Sequence, residues 1–538
     1  MAAVPRVQSL ADIYPKDDIP KQSNRWDILY AKFRSAYDGV EPTFVARSPG
    51  RVNIIGEHID YSLYSVLPMA ITADAIIAVS AQPSTGTTYK IRIGNVDSRF
   101  PSREFDFATD GEIDIDAKAS EWTNYFKSGL KGALALLRQK ALAAGTEFRP
   151  CDMNVVMDGT VPVGGGLSSS AAFVSASALA VMTANSQTPV DKKELTELAI
   201  DRKINFSMDQ AASVLSELGS AVFVSFSPQL DARPVKFPHT SPELGFVIAQ
   251  SFVTSTKHDT APTRYNLRVV ECSLAAGYLN SVLNPPGTSL PLDAGPLRTS
   301  LKGFHDIYAA NNLAGVDLEE QLQRLISLVK NTLTQEEGYT REELAKVLET
   351  STVEDLKKIA KKENQISAVS YADPVANLES RYMSKFTVHA DRFKLRQRAL
   401  HVFSEALRVV HFLKLLEDAQ PASITDTSSF NQQLGNLMNA TQDSCRDLYE
   451  CSSPEIDEIC RIARSAGAYG SRLTGAGWGG CTVHLVPVDK IDAVKAALDK
   501  EYYASRDLTE EQKAQAVVVS RPARGSATLV GHSGAFTL

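Results

Sequence analysis

Apolar runs and amphipathic periods follow one another along this chain without a strict strand–helix alternation. A polar opening ends in an amphipathic helix pattern over Arg25–Tyr37. Phe44-Val-Ala-Arg-Ser-Pro-Gly-Arg-Val-Asn-Ile-Ile-Gly56 reads as two short apolar strands on either side of a Ser-Pro-Gly turn. Further strands are expected at Thr72–Ala81, Met153–Met157, Ala221–Phe226, Gly245–Ser251 and Ala516–Ser520. Helices are expected at Glu121–Ala144, where Leu130, Ala133, Leu134 and Leu137 share a face, and at Ala171–Met182, Lys192–Arg202 and Asp489–Tyr503. From about 317 to 466 the pattern is mostly helical, with solvated Glu/Lys faces at 335–363. The Gly/Ser-rich tail from Arg524 reads as mobile, or as last residues returning to the interface between domains. This mixture indicates an α+β fold.

A length of 538 residues exceeds one ordinary core and predicts two domains. The three prolines between Pro228 and Pro238 mark the expected boundary, giving an extension over 1–40 and domains over 41–240 and 241–538. A hydrophobic share of 43% and a charged share of 22% are those of a globular protein in water. A net charge of −7 argues against nucleic acid or an anionic membrane as partner. No apolar run is long enough to span a bilayer, and no secretory leader is visible. Six cysteines without a C-x-x-C pair suggest reduced thiols in the cytoplasm.

The strongest local pattern is Asp158-Gly-Thr-Val-Pro-Val-Gly-Gly-Gly-Leu-Ser-Ser-Ser-Ala-Ala172, set between a strand pattern and a helix pattern. Glycines allow close backbone approach, and the first helical turn aims free N–H groups at an anion. It is not a Walker A loop, because no Gly-Lys-Ser/Thr follows. A second cluster, Glu57, His58 and Asp60, sits just past a strand end, as a site or an ordinary polar loop would.

Five stretches in order resemble the superfamily of galactokinase, homoserine kinase, mevalonate kinase and phosphomevalonate kinase, and within it the longer galactokinases of fungi. They are Gly50-Arg-Val-Asn-Ile-Ile-Gly-Glu-His-Ile-Asp-Tyr61, Val161-Pro-Val-Gly-Gly-Gly-Leu-Ser-Ser-Ser-Ala171, Met208-Asp-Gln-Ala-Ala-Ser-Val214, Ala261-Pro-Thr-Arg-Tyr-Asn-Leu-Arg268 and Leu473-Thr-Gly-Ala-Gly-Trp-Gly-Gly-Cys-Thr482. The resemblance implies a two-domain small-molecule kinase with its active site in the cleft between domains, acting as a monomer. Its reaction would be phosphoryl transfer from ATP, with Mg²⁺, to the 1-hydroxyl of galactose.

By that resemblance Asp209 is the catalytic base and Arg51 its partner, touching substrate as well. Glu57, His58, Asp60 and Tyr265 contact the sugar. Gly164, Gly166, Ser168 and Ser170 cradle the triphosphate, with Ser170 on the metal side, and Ser255, Thr256 and Lys257 contact nucleotide. The glycines at 475, 477, 479 and 480 would let backbone pack close to the phosphate loop. Structural readings stand beside these: a helix cap for Asp209, a surface ion pair for Arg51, core packing for Tyr265.

One stretch departs from the pattern. Asp201-Arg-Lys-Ile-Asn-Phe-Ser-Met-Asp209 is shorter than the family's Gly-rich approach to Met-Asp, and Phe206 and Ser207 stand in place of glycines. It predicts weakened sugar binding or local repacking. Two alternatives share the motifs: an N-acetylgalactosamine kinase, and a galactose- and ATP-sensing co-inducer that binds a transcriptional repressor. The intact Ser170-Ala171 pair favours an enzyme.

Overall fold

A computed structural model describes residues 2–116, 119, 121–162, 164–186, 188–199, 208–253, 260–362, 373–419 and 426–530. In chain order its strands are β1 (Arg6–Val7), β2 (Phe44–Ile55), β3 (Leu67–Pro83), β4 (Thr88–Asn95), β5 (Arg103–Ala108), β6 (Cys151–Gly159), β7 (Ser220–Ser225) and β8 (Asp231–Lys236). They continue with β9 (Leu244–Gln250), β10 (Gly470–Thr474), β11 (Cys481–Pro487), β12 (Val517–Ser520) and β13 (Ala527–Leu529). Seven of them form a mixed sheet in the order β1-β13-β2-β3-β6-β4-β5. Only β1–β13 and β4–β6 pair parallel within it. A second, antiparallel sheet runs β10-β11-β9-β12, and β7 and β8 form a hairpin that includes most of the proline-rich stretch.

The expected pair of strands around Ser48-Pro49-Gly50 is one buried strand, β2. Its register against β3 shifts between Pro49 and Arg51 and again between Asn53 and Ile55. Proline cannot donate to a ladder, so an irregularity is where a central strand can hold it. The irregularity also lets Arg51 turn toward the loop after β6, as described below.

The start of the Gly/Ser-rich tail is strand, while residues 531–538 lie outside the described residues. Residues 527–529 insert between β1 and β2, Ala527 and Leu529 are fully buried, and Arg47 donates to the carbonyls of Arg524 and Gly525. A three-residue strand is too short to carry a readable period. The polar opening likewise packs down. Helix α1 (Ile19–Ala36) buries Trp26, Leu29, Tyr30 and Phe33 against Val45, Ile76, Ala78 and Val156 on one face of the large sheet.

The other face carries α2 (Asn124–Ala144) and α3 (Ser169–Ala184). They cross so closely that a Cβ on Gly129 would lie 2.7 Å from the Ala178 nitrogen. One continuous core runs from this face into the helices that follow, including Tyr265–Leu283, Leu395–Asp418 and Ser428–Asp447. A separate core packs helices Pro454–Ser465 and Ile491–Leu498 on the second sheet. No helix among the described residues is long and apolar enough to cross a membrane.

Candidate active site

The loop between β6 and α3 has left-handed backbone at Gly164, Gly166 and Ser168, every second residue. Alternation of this kind turns successive N–H groups toward one concavity, an anion-binding nest, and here it opens directly onto a helix N-terminus. Gly164 and Ser170 are exposed, and Gly166 and Ser168 are half-buried. The Ser168 hydroxyl oxygen is buried without a protein partner. Gly475, with φ +90°, packs against the loop from behind, and a Cβ there would meet the Gly166 carbonyl at 2.8 Å. Gly480 faces Gly165 in the same way at 3.3 Å. Gly477 and Gly479 do not serve this loop, because their backbones press on Cys451 and Val253.

Arg51 joins the loop to the next candidate residue. Its backbone N–H donates to the Leu167 carbonyl at 3.1 Å. Its guanidinium donates to the Gly166 carbonyl at 2.6 Å and through Nε to Asp209 Oδ1 at 2.7 Å. The Arg51 side chain is 5% exposed and that of Asp209 27%, so the pair is largely shielded while the carboxylate keeps an open edge. Asp209 stands in the first turn of α5 (Met208–Leu215; α4 is Lys192–Ala199), where its carboxylate is bound to Arg51. The surface ion pair weighed for Arg51 is therefore a buried one.

Glu57, His58 and Asp60 follow β2 on a turn with φ +102° at Gly56 and +60° at His58. Glu57 is 2% exposed and pairs with Arg472 of β10. Burial raises the Glu57 carboxyl above its usual range, and the guanidinium of Arg472 opposes it. Burial likewise raises Asp60, opposed by His58 and reinforced by the Asp209 carboxylate. Both ring nitrogens of His58 are engaged: Nε2 with the Ala476 carbonyl at 3.0 Å and Nδ1 with the Tyr61 hydroxyl at 3.0 Å. A carbonyl only accepts, so Nε2 carries a proton. Burial lowers the His58 pKa, but Cys451 alongside reverses this and leaves it raised. The sugar-contact expectation for His58 therefore narrows, because its ring nitrogens already have protein partners.

Tyr265 opens the helix Tyr265–Leu283 and keeps 39% of its surface exposed. Its ring lies 6.0 Å from His58 and 5.6 Å from Tyr61. Burial of the hydroxyl end comes first in raising its pKa, followed by the carboxylates of Asp60, Asp209 and Glu57. Core packing does not account for a ring this open. The structure thus gathers Arg51, Glu57, His58, Asp60, Asp209 and Tyr265 beside the glycine loop. Ser255, Thr256 and Lys257 lie outside the described residues, as do Val163 and the shortened segment Asp201–Ser207.

Sequence reasoning missed Arg472, Tyr449, His401 and Glu405. Arg472 directly precedes the glycine-rich Leu473–Thr482 motif, a signal that could have drawn notice. Tyr449, whose hydroxyl meets that of Tyr61 and the Cys272 thiol, belongs to no motif. Neither do His401 and Glu405.

Comparison with known proteins agrees with this geometry. A model of the galactokinase galactose-binding signature matches residues 31–81, one of the GHMP kinase N-terminal domain matches 124–217, and one of the GHMP kinase C-terminal region matches 427–504. The galactokinase of Saccharomyces cerevisiae is 41% identical over 521 residues, covering 93% of each chain. That of Candida parapsilosis is 40% identical over 533 residues, covering 97% of each. Among solved structures, Lactococcus lactis galactokinase complexed with galactose superposes with a TM-score of 0.59 at 20% identity, over 94% of this chain and 99% of that one, a likeness of fold.

Proposed function

The chain belongs to the galactokinase family, and from that premise we propose that it transfers the terminal phosphoryl group of ATP to the 1-hydroxyl of galactose. The observation that carries the reading is the Arg51 bridge: one guanidinium binds both the loop shaped for phosphate and the carboxylate beside the sugar signature. The acceptor oxygen attacks the γ-phosphorus, the bond from that phosphorus to the β–γ bridging oxygen breaks, and ADP leaves. Asp209 orients the hydroxyl and takes its proton as the new bond forms. Arg51 holds the Asp209 carboxylate in place through its guanidinium and offsets charge on the transferring group. Glu57, Asp60 and Tyr265 offer acceptors and a donor to the remaining hydroxyls. A misplaced hydroxyl would leave such buried groups unpaired, which is how a site of this kind rejects epimers.

The backbone N–H groups of 164–170 hold the triphosphate. The exposed Ser170 hydroxyl, at the first turn of α3, would share an ion that arrives with ATP, and a site giving few protein ligands would suit Mg²⁺. When bound, Mg²⁺ neutralises charge on the β- and γ-phosphates.

Six free cysteines support a cytoplasmic location. Neither an N-acetylgalactosamine kinase nor a repressor-binding co-inducer is favoured by the relatives, which carry the name galactokinase. A coupled assay of ADP release across galactose, N-acetylgalactosamine and glucose tests the reading. Galactose is expected to give the highest kcat/KM, and a preference for either other sugar would overturn it.

A further inference from the structure

The turn that presents Glu57 and His58 is not held by its own sequence neighbours. One face of the helix Leu395–Asp418 carries His401, Glu405 and Val409, spaced four residues apart so that they stack along the helix. Between them the three hold Gly56 and Glu57. Glu405 Oε1 accepts the backbone N–H of Gly56 at 2.7 Å and of Glu57 at 3.1 Å. His401 Nε2 pairs with the Glu57 carbonyl at 3.0 Å, and a carbonyl only accepts, so Nε2 is the donor. With Nε2 as the donor, Nδ1 of the neutral ring accepts from the Ser444 hydroxyl at 2.9 Å. Val409 closes the contact: a Cβ on Gly56 would lie 3.1 Å from its Cγ2.

Glu405 is itself fully buried and fully used. Its second oxygen accepts Arg408 Nε at 2.7 Å and the Thr441 hydroxyl at 2.8 Å. Burial works against its charge, but Arg408 and then Arg472 hold its carboxyl down at about 2. Arg472 is the same residue that pairs with the Glu57 carboxylate. The helix therefore binds the backbone of the turn and, through the charge of Glu405, attracts the cation that aims its side chain.

The turn needs such support. Left-handed backbone at His58 is a conformation that a non-glycine residue holds only when its surroundings over-determine it. Within Gly56-Glu57 both N–H groups and the Glu57 carbonyl are spoken for by one helix, more than 340 residues along the chain. That helix lies outside the three matched family regions at 31–81, 124–217 and 427–504.

We propose that Glu405 and His401 are positioning residues for the acceptor sugar: by clamping the backbone of Gly56-Glu57 they set how tightly the sugar is bound, and leave the nucleotide side alone. The proposal rests on the kinase reading above. It predicts a split between the two substrates. Loss of the clamp lets Glu57 and His58 drift, while the loop at 164–168 keeps its own contacts with Arg51 and Gly475. A residue that merely stabilised the fold would move both substrates together.

The experiment uses the full-length chain and measures KM for ATP and for the sugar, together with Tm. The sugar is whichever of galactose, N-acetylgalactosamine and glucose supports the highest wild-type kcat/KM. That first measurement judges the function separately, since a wild type that ignores galactose refutes galactose as acceptor and leaves the clamp to be tested on the sugar it does use. Glu405→Gln keeps the size but sets an amide against Arg408 and Thr441. It is expected to raise the sugar KM about tenfold, with the ATP KM within about twofold. His401→Phe keeps a ring tilted against Tyr449, where the centroids lie 4.2 Å apart, but loses the donor to Glu57. A rise of about fivefold in sugar KM is expected, and His401→Gln, which restores a donor, should recover at least half of it. Folded variants that leave the sugar KM unchanged, or that shift both KM values alike, overturn the proposal. If Glu405→Gln does not fold, the His401 pair decides: equal sugar KM for Phe and Gln overturns it, and rescue by Gln supports it.

Discussion

The two halves of the site are built on opposite plans. The phosphate loop takes its shape largely from its own residues: left-handed backbone at Gly164, Gly166 and Ser168, followed at once by a helix N-terminus, with Arg51 and Gly475 packed against it. The turn at Gly56–Asp60 takes its shape from residues hundreds of positions away, among them His401, Glu405, Arg472 and Ala476. The difference follows from what each must do. A nest binds phosphate with backbone N–H groups, so local conformation is enough. A sugar pocket must aim particular side chains, and a side chain is aimed only when its backbone is fixed and its other atoms are satisfied. Where the halves meet, Arg51 serves both.

That contrast can be broken in graded steps. The largest effect should come from the meeting point: Asp209→Asn is expected to lower kcat by about 10²–10⁴-fold. ATP and galactose should still bind in calorimetry, and loss of binding alongside rate would argue that Asp209 is structural. Next is Gly475→Ala, which places a methyl 2.8 Å from the Gly166 carbonyl at φ +90°. A cost of about 1–3 kcal/mol is expected, felt as a higher KM for ATP with galactose KM unchanged. A rise confined to galactose would reverse the assignment of the two halves.

Acid should act through the long-range plan. Burial holds His401 and His484 down at about 3, well below their unfolded value. The unfolded chain therefore binds more protons between the two values, so stability rises with pH there and is lost as pH falls below about 6.5. Each histidine should cost about 2 kcal/mol by pH 5. Glu405, held down at about 2, acts lower: its stabilisation is present above its unfolded pKa and fades as pH drops toward 2. In thermal melts from pH 7 to pH 5, His401→Gln should flatten the slope by about 1 kcal/mol per pH unit on average. An unchanged slope would place a charged imidazole at 401. The smallest effect is expected from Ser170→Ala, a few-fold increase in the Mg²⁺ needed for half-maximal rate, since one hydroxyl among water and phosphate ligands is easily replaced. A fall in kcat as deep as that of Asp209→Asn would make Ser170 far more than a ligand.

Much of this molecule could be read from its residues in order. The glycine–serine run, the strand before it and the helix after it announced an anion site, because close backbone approach and a helix N-terminus are local properties. The cluster Glu57, His58 and Asp60 was visible as chemistry, though its partners were not. Four features belonged to tertiary structure alone. Pro49 sits inside one continuous β2 because the ladder with β3 shifts register around it. Residues 527–529 of the Gly/Ser-rich tail form a strand because β2 offers them an open edge and Arg47 donates to the carbonyls of Arg524 and Gly525. Both ring nitrogens of His58 are engaged by Tyr61 and Ala476, which no spacing foretells. The three side chains on the helix Leu395–Asp418 looked like any amphipathic face until folding brought Gly56-Glu57 against them. Residue types and local spacing decide which chemistry a chain can perform. Which groups are left free to perform it depends on who satisfies the others, and in this protein those partners are distant in sequence and near only in the fold.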